Sequence, residues 1–107
     1  MAEDTEFCVL LTTTSSQAEA DRLAGGLVSE RLAACVQIVE INSHYIWEGM
    51  AQKEPEYLLL IKTRKEVYER IEAFILREHS YQVPELIRIP VEAGLGPYLD
   101  WVRENTG

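Results

Sequence analysis

The sequence predicts an α+β domain whose elements run β-α-β-β-α-β and close with a short helix. Three observations predict it. The segment Phe7-Cys8-Val9-Leu10-Leu11 is apolar on both of the faces that alternate along a strand, as a buried strand requires. Two stretches with helically spaced apolar residues each follow a capping-box pattern, Ser16-x-x-Glu19 and Thr63-x-x-Glu66. Between them, Leu32 to Thr63 reads as one long β-hairpin. Strands usually run about 5–6 residues, so a hairpin of this length overhangs a small domain.

Taken in order, the first strand runs into Thr12-Thr13-Thr14-Ser15-Ser16, whose hydroxyls suit a helix start. Ala20, Leu23, Ala24, Leu27 and Val28 then give helix one its stripe, with Arg31 at the edge of it. Gly25-Gly26 interrupts that helix; each glycine costs about 1 kcal/mol relative to alanine. The pair signals either close approach of a neighbouring backbone or a softened middle. The second strand starts near Ala33-Ala34-Cys35-Val36 and alternates to Trp47, Glu48-Gly49-Met50-Ala51 turns the chain, and strand three returns through Tyr57 to Lys62. Pro55 removes a ladder donor and so belongs at an edge or a bulge. Helix two follows the Thr63–Glu66 box with Val67, Ile71, Phe74 and Ile75 as its stripe, and His79-Ser80-Tyr81-Gln82-Val83-Pro84 is the break after it. Leu86 to Val91 reads as strand four, ended by Gly94, and Gly96-Pro97 starts the tail helix with Gly96 as its cap.

This order is the split βαβ, or ferredoxin-like, arrangement, with an antiparallel sheet over a single domain, residues 1–107. Right-handed crossovers place strands one and three in the centre and set the order 4-1-3-2. The second strand is then a long edge with apolar residues on both faces, an aggregation hazard unless another chain covers it. Helices cover one sheet face only, so the apolar second face also calls for oligomerisation.

The composition narrows the function classes. Ten basic against eighteen acidic residues give a formal charge of −8, and the bases are not clustered, which disfavours a nucleic-acid partner. The longest apolar run, Tyr57 to Ile61, is far below the roughly 18 residues of a membrane span, and the acidic start Met1-Ala2-Glu3-Asp4 is unlike a signal peptide. Cys8 and Cys35 fall inside apolar strand segments, which points to reduced thiols and a cytoplasmic setting.

At Leu32-Ala33-Ala34-Cys35-Val36, Ser43-x-Tyr45-x-Trp47-x-Gly49, Lys62-Thr63, His79-x-Tyr81-x-x-Pro84-Glu85 and Tyr98-Leu99-Asp100-Trp101, the chain resembles the CutA1 family of divalent-cation tolerance proteins, and the resemblance runs over residues 7–104. It implies a ferredoxin-like subunit in a tight homotrimer, similar in plan to the PII signalling proteins, and a link to copper and other divalent metals. Many members carry His-Pro-Tyr where this chain has His79-Ser80-Tyr81. Metal-associated members have a cysteine late in the first strand and two histidines at the end of helix two. Here Thr12 and Glu78-His79 occupy those positions, which leaves one of three ligands.

Ser43, Tyr45 and Trp47 share one face of the hairpin with Cys35. Tyr45, Trp47, Lys62 and Tyr81 are the candidate ligand-cleft residues. The two aromatics of the hairpin equally suit packing at a subunit contact, and Lys62 can anchor an anion or extend its amine outward. Cys35 and His79 are the candidate metal ligands, a thiolate–imidazole pair of the kind Cu(I) or Zn accepts if a subunit boundary joins them. The alternative readings are a small buried hydrophobe for Cys35 and a cation at a helix C-terminus for His79. Four ligands close a typical zinc site, so His44 and His79 need Cys35, Glu78, Glu85 or a neighbour, and weak metal binding is what this inventory supports. Glu54 and Glu56 read as solvent-facing or cross-strand charges. The sequence carries no Gly-rich phosphate loop. The expectation is therefore a cytoplasmic trimer, not an enzyme, that needs no cofactor and binds a divalent cation such as copper, or a small ligand. The alternative is a PII-like sensor or scaffold that takes a small anion or a protein partner at the intersubunit cleft.

Overall fold

A four-stranded antiparallel sheet in the order β2-β3-β1-β4 carries the chain, in a computed structural model that describes residues 5–107. The elements are β1 (Phe7–Thr14), α1 (Gln17–Ser29), β2 (Cys35–Trp47), β3 (Met50–Arg64), a 3₁₀ turn (Lys65–Val67), α2 (Tyr68–Glu78), β4 (Ile87–Pro90) and α3 (Gly96–Glu104). The order and the ferredoxin-like arrangement are those expected of the sequence. The acidic residues before Thr5 lie outside the described part.

β1 and β3 are central because their alternate residues face a core. Cys8 and Leu10 on β1, with Leu59 and Ile61 on β3, meet Leu23 and Leu27 of α1 and Ile71 and Ile75 of α2. Each buried leucine or isoleucine contributes about 1.5–3 kcal/mol relative to leaving it in water. Phe74 of α2 also settles the role of the glycine pair. A Cβ at Gly26 would lie 2.7 Å from the Phe74 ring, whereas one at Gly25 would meet nothing within 4 Å. The first glycine is open and the second is a seat for a side chain, not for a neighbouring backbone.

Three local readings are corrected. β3 begins at Met50, well before the expected Tyr57, because Met50–Glu56 pairs in unbroken register with Ile41–Trp47 around a two-residue turn. Glu48 (φ 50°) and Gly49 (φ 78°) both adopt the left-handed conformation, the turn whose twist matches a hairpin. Pro55 sits beyond the last β1 partner, Tyr57, so one side of β3 is an edge there. The Thr63–Glu66 box does not start α2: Thr63 still lies within β3, its hydroxyl donates to the Leu32 carbonyl (2.7 Å), and α2 begins only at Tyr68. Finally, Leu95 holds the cap position of α3, with Gly96 and Pro97 inside its first turn.

One sheet face lies under α1 and α2. The other is covered at one end only, where α3 lies across it. There Arg103 donates to both Glu6 oxygens (2.8 and 2.9 Å) and stacks over Phe7, while Val102 is buried. Arg64 ties down the chain end through Thr106. The remainder of that face leaves apolar side chains open, Ile87 at 50% and Ile89 at 44% exposure among them.

Candidate functional site

The break after α2 is fixed by a carboxylate from the other helix. Ser16 caps α1 by accepting from the Glu19 N–H (3.1 Å), which is half of a capping box. The other half is diverted: Glu19 turns its carboxylate to Ser80 and accepts from both the backbone N–H and the hydroxyl of that residue (2.8 Å each). A proline in place of Ser80 could make neither bond. The Glu19 side chain is only 10% exposed. Burial, the largest single influence, pushes its carboxyl up, but the hydrogen bonds it accepts, from Ser80 among others, outweigh that and hold it below the usual carboxylate value.

His79 is buried in the same knot. Its Nδ1 accepts from the Tyr81 N–H (3.0 Å), so Nε2 carries the proton and donates to the Thr13 carbonyl (2.7 Å). Both ring nitrogens are thereby used within the subunit. Tyr81 then packs its ring against His79, with centroids 4.8 Å apart, and its hydroxyl donates to Glu56 on β3 (2.9 Å). Burial, then the bond to Glu56, push the Tyr81 phenol up to about 12.

Across the hairpin, the register places Ser43 opposite Glu54 and Tyr45 opposite Gln52, on one face. The Tyr45 hydroxyl reaches diagonally to Glu54 and donates to it, which raises the Tyr45 phenol above its usual value. Between the hairpin and the loop after α2 lies an open cleft of about 800 Å³, lined by Tyr45, Trp47, Glu54, Glu56, Tyr81 and Glu85 among others. Its other polar groups come from Thr13, Ser43, His44, Gln52 and Gln82; neither Lys nor Arg lines it. Burial, and then the charge of Glu56, raise the Glu85 carboxyl.

Tyr45, Trp47 and Tyr81 are thus brought together, and Lys62 is not. Lys62 lies six residues along β3 from Glu56, about 20 Å away at strand spacing. It donates instead to Gln37 (2.8 Å). Cys35 and His79 are also apart within a subunit: Cys35 pairs with Lys62, whereas His79 bonds Thr13, which pairs with Leu58. Among the described residues no three His, Cys, Asp or Glu side chains converge to hold a metal ion. Glu54 and Glu56, read from the sequence as solvent-facing or cross-strand charges, are the cleft carboxylates that sequence reasoning missed. A signal for them does stand in the sequence: counting outward from Glu48-Gly49 as a two-residue turn pairs Ser43 with Glu54 and Ile41 with Glu56.

The family model described as "CutA1 divalent ion tolerance protein" matches residues 8–105. The chain belongs to the CutA1 divalent ion tolerance family. A CutA1 relative from Thermus thermophilus, a divalent-cation tolerance protein, is 43% identical over 100 residues, which cover 92% of this chain and 97% of the relative. The chloroplastic CutA 1 protein of rice is 41% identical over 99 residues, 92% of this chain but 56% of the relative, so the chain spans little more than half of that protein. The solved Thermus CutA1 structure superposes with a TM-score of 0.92 at 42% identity, covering 94% of this chain and 99% of the other. Among the described residues of this CutA1 member, no helix is long and apolar enough to cross a membrane.

Proposed function

We propose that the chain serves divalent-cation tolerance as a cytoplasmic homotrimer that binds cations, without catalysing a reaction, in the cleft between its hairpin and the loop after α2. The observation that carries this reading is the lining itself: Glu54, Glu56 and Glu85 face the cleft with neither Lys nor Arg beside them. Carboxylates unopposed by bases concentrate cations and repel anions. Their oxygens suit hard divalent ions and are also accepted ligands of zinc. A single subunit brings no three ligands together among the described residues, so an ion bound here keeps water or borrows a donor from a second subunit. Weak binding follows.

The trimer rests on the unpartnered edge of β2 and on the open apolar patches of the sheet face, Val39, Ile87 and Ile89. Tyr45 and Tyr81 spend their hydroxyls on carboxylates, which fits a binding role better than a nucleophilic one. The cytoplasmic setting rests on two unpaired cysteines, Cys8 and Cys35. The competing metal assignment, Cys35 with His79, needs a subunit boundary to join the two and the loss of a hydrogen bond at His79.

Calorimetric titration of Cu²⁺ and Zn²⁺ tests the reading, with light scattering to establish assembly. Saturable binding is expected to weaken about tenfold in Glu56→Gln, the equivalent of one charge-assisted contact, and to persist in Cys35→Ser. Binding untouched by Glu56→Gln, or abolished by Cys35→Ser, would overturn the cleft assignment. A stable folded monomer would overturn the trimer.

A further inference from the structure

Glu56 stands where β1 runs out. The last residue of β1, Thr14, pairs with Tyr57, so Glu56 is the first residue of β3, counted back from there, with no neighbour in β1. The Tyr81 hydroxyl reaches it instead (2.9 Å), from a loop that is mounted on the interior at two points. Glu19 accepts from both the N–H and the hydroxyl of Ser80 (2.8 Å each). The fully buried His79 side chain donates from Nε2 to the Thr13 carbonyl (2.7 Å) and accepts at Nδ1 from the Tyr81 N–H (3.0 Å). Thr13 pairs with Leu58, two residues from Glu56, so the His79 anchor and the tip of Tyr81 meet the sheet about 7 Å apart along the strand.

We propose that His79 is a positioning residue, not a metal ligand: its Nδ1 bond sets the backbone of Tyr81, so that the phenol holds one carboxylate oxygen of Glu56 and leaves the other unused within the subunit. Two features carry this. Both ring nitrogens are engaged in a fully buried place, so a metal at either one costs a hydrogen bond there. The ring also packs against Tyr81, with centroids 4.8 Å apart, so one side chain fixes both the backbone and the ring of Tyr81. Every contact in this chain lies inside one subunit and does not depend on how subunits meet. The consequence for cation affinity rests on the reading of the cleft given above, whereas the hold on Glu56 does not. Outer partners of a ligating carboxylate typically change metal affinity about 10–100-fold when lost.

Two substitutions separate the two nitrogens. His79→Asn places an oxygen where Nδ1 stands, and such a side chain accepts readily from the N–H two residues on. His79→Gln instead puts its amide nitrogen near Nε2 and keeps the bond to Thr13. Tyr81→Phe is then made in the wild type and in each variant, and urea midpoints are read at one protein concentration. Loss of the phenol hydroxyl should lower the midpoint equally in the wild type and His79→Asn, and by less than about half as much in His79→Gln. Calorimetry should show Zn²⁺ bound about tenfold more weakly by His79→Gln but within about threefold of wild type by His79→Asn, whichever is the more stable. In the wild type, ¹⁵N shifts should place the His79 proton on Nε2 with and without Zn²⁺. Equal Tyr81→Phe shifts in all three backgrounds, or equal loss of zinc affinity in both His79 variants, would mark a merely structural residue and overturn the proposal. So would a proton on Nδ1 or a zinc-shifted His79 ring, and these two need no variant to fold. If the urea pattern holds and Zn²⁺ does not bind, the positioning role stands and the cation reading falls. If Zn²⁺ binds through Glu56 and the urea shifts are equal, the cation reading stands and the positioning role falls.

Discussion

Replacing Glu19 by glutamine keeps the shape of the side chain and removes its charge, and so isolates what that charge does for the loop carrying His79 and Tyr81. In the wild type, Glu19 accepts two 2.8 Å hydrogen bonds from Ser80. Bonds to a charged acceptor contribute about 1.5–3 kcal/mol each and neutral ones about 0.5–1.5, so the two together lose about 2 kcal/mol. Burying a neutral amide is less costly than burying a carboxylate, which returns part of that and leaves a net loss of about 1–2 kcal/mol. For a chain of 107 residues this lowers the melting temperature by about 4–8 °C. The assay is thermal or urea unfolding of both proteins at one fixed concentration across pH 3 to 7. The Glu19 carboxyl is held below its ordinary 4.5 in the folded state. Its stabilising contribution is therefore complete above the unfolded value and is lost as the pH falls through the lower folded one. The gap between wild type and variant should be full at neutral pH and close in acid. A gap that persists unchanged at pH 3, or a variant as stable as the wild type at pH 7, would refute the reasoning.

Two further substitutions probe the frame that holds the site. Gly25→Ala should stabilise by about 0.5–1 kcal/mol, because its Cβ enters open space in a helix interior. Gly26→Ala should instead destabilise by up to about 2 kcal/mol, since overpacking against Phe74 exceeds the propensity gain. Urea midpoints decide both, and equal stabilisation by the two alanines would contradict the packing argument. At the hairpin turn, Glu48→Asn should stabilise by about 0.5–1 kcal/mol because asparagine tolerates the left-handed backbone that Glu48 adopts. A lower midpoint for that variant would show that Glu48 itself makes a contact at the tip.

Much of this architecture was legible in the sequence, and the failures share one cause. The apolar run Phe7–Leu11, the stripe of α1 and the stripe of α2 announced themselves, because each is a repeat of near neighbours along the chain. Thr63-x-x-Glu66 misled because a hydroxyl three residues before a glutamate looks alike at a helix start and at a strand end. Only the Leu32 carbonyl, on a different segment, separates the two. Ser16-x-x-Glu19 was right about the helix and silent about Glu19, whose carboxylate leaves the cap for Ser80, 61 residues away. In the candidate site, Tyr45 and Trp47 were visible as a row on one strand. Glu54 and Glu56 passed as surface charges, and Lys62 was drawn in because strand position alone does not say how far along the sheet the cleft lies.

By itself, the sequence determined the elements, their order and the central place of β1 and β3. Periodicity, capping and crossover handedness are local or near-local constraints that the residues carry wherever the chain goes. The tertiary structure decided what those elements bring together. The Phe74 ring seated on Gly26, the His79 proton aimed at Thr13 and the Tyr81 hydroxyl on Glu56 each join segments at least 25 residues apart. Such contacts exist only after burial has chosen one packing among many. The groove between the hairpin and the loop after α2 is of this second kind: its aromatics were written on one strand, but its charge was set by what the fold laid beside them.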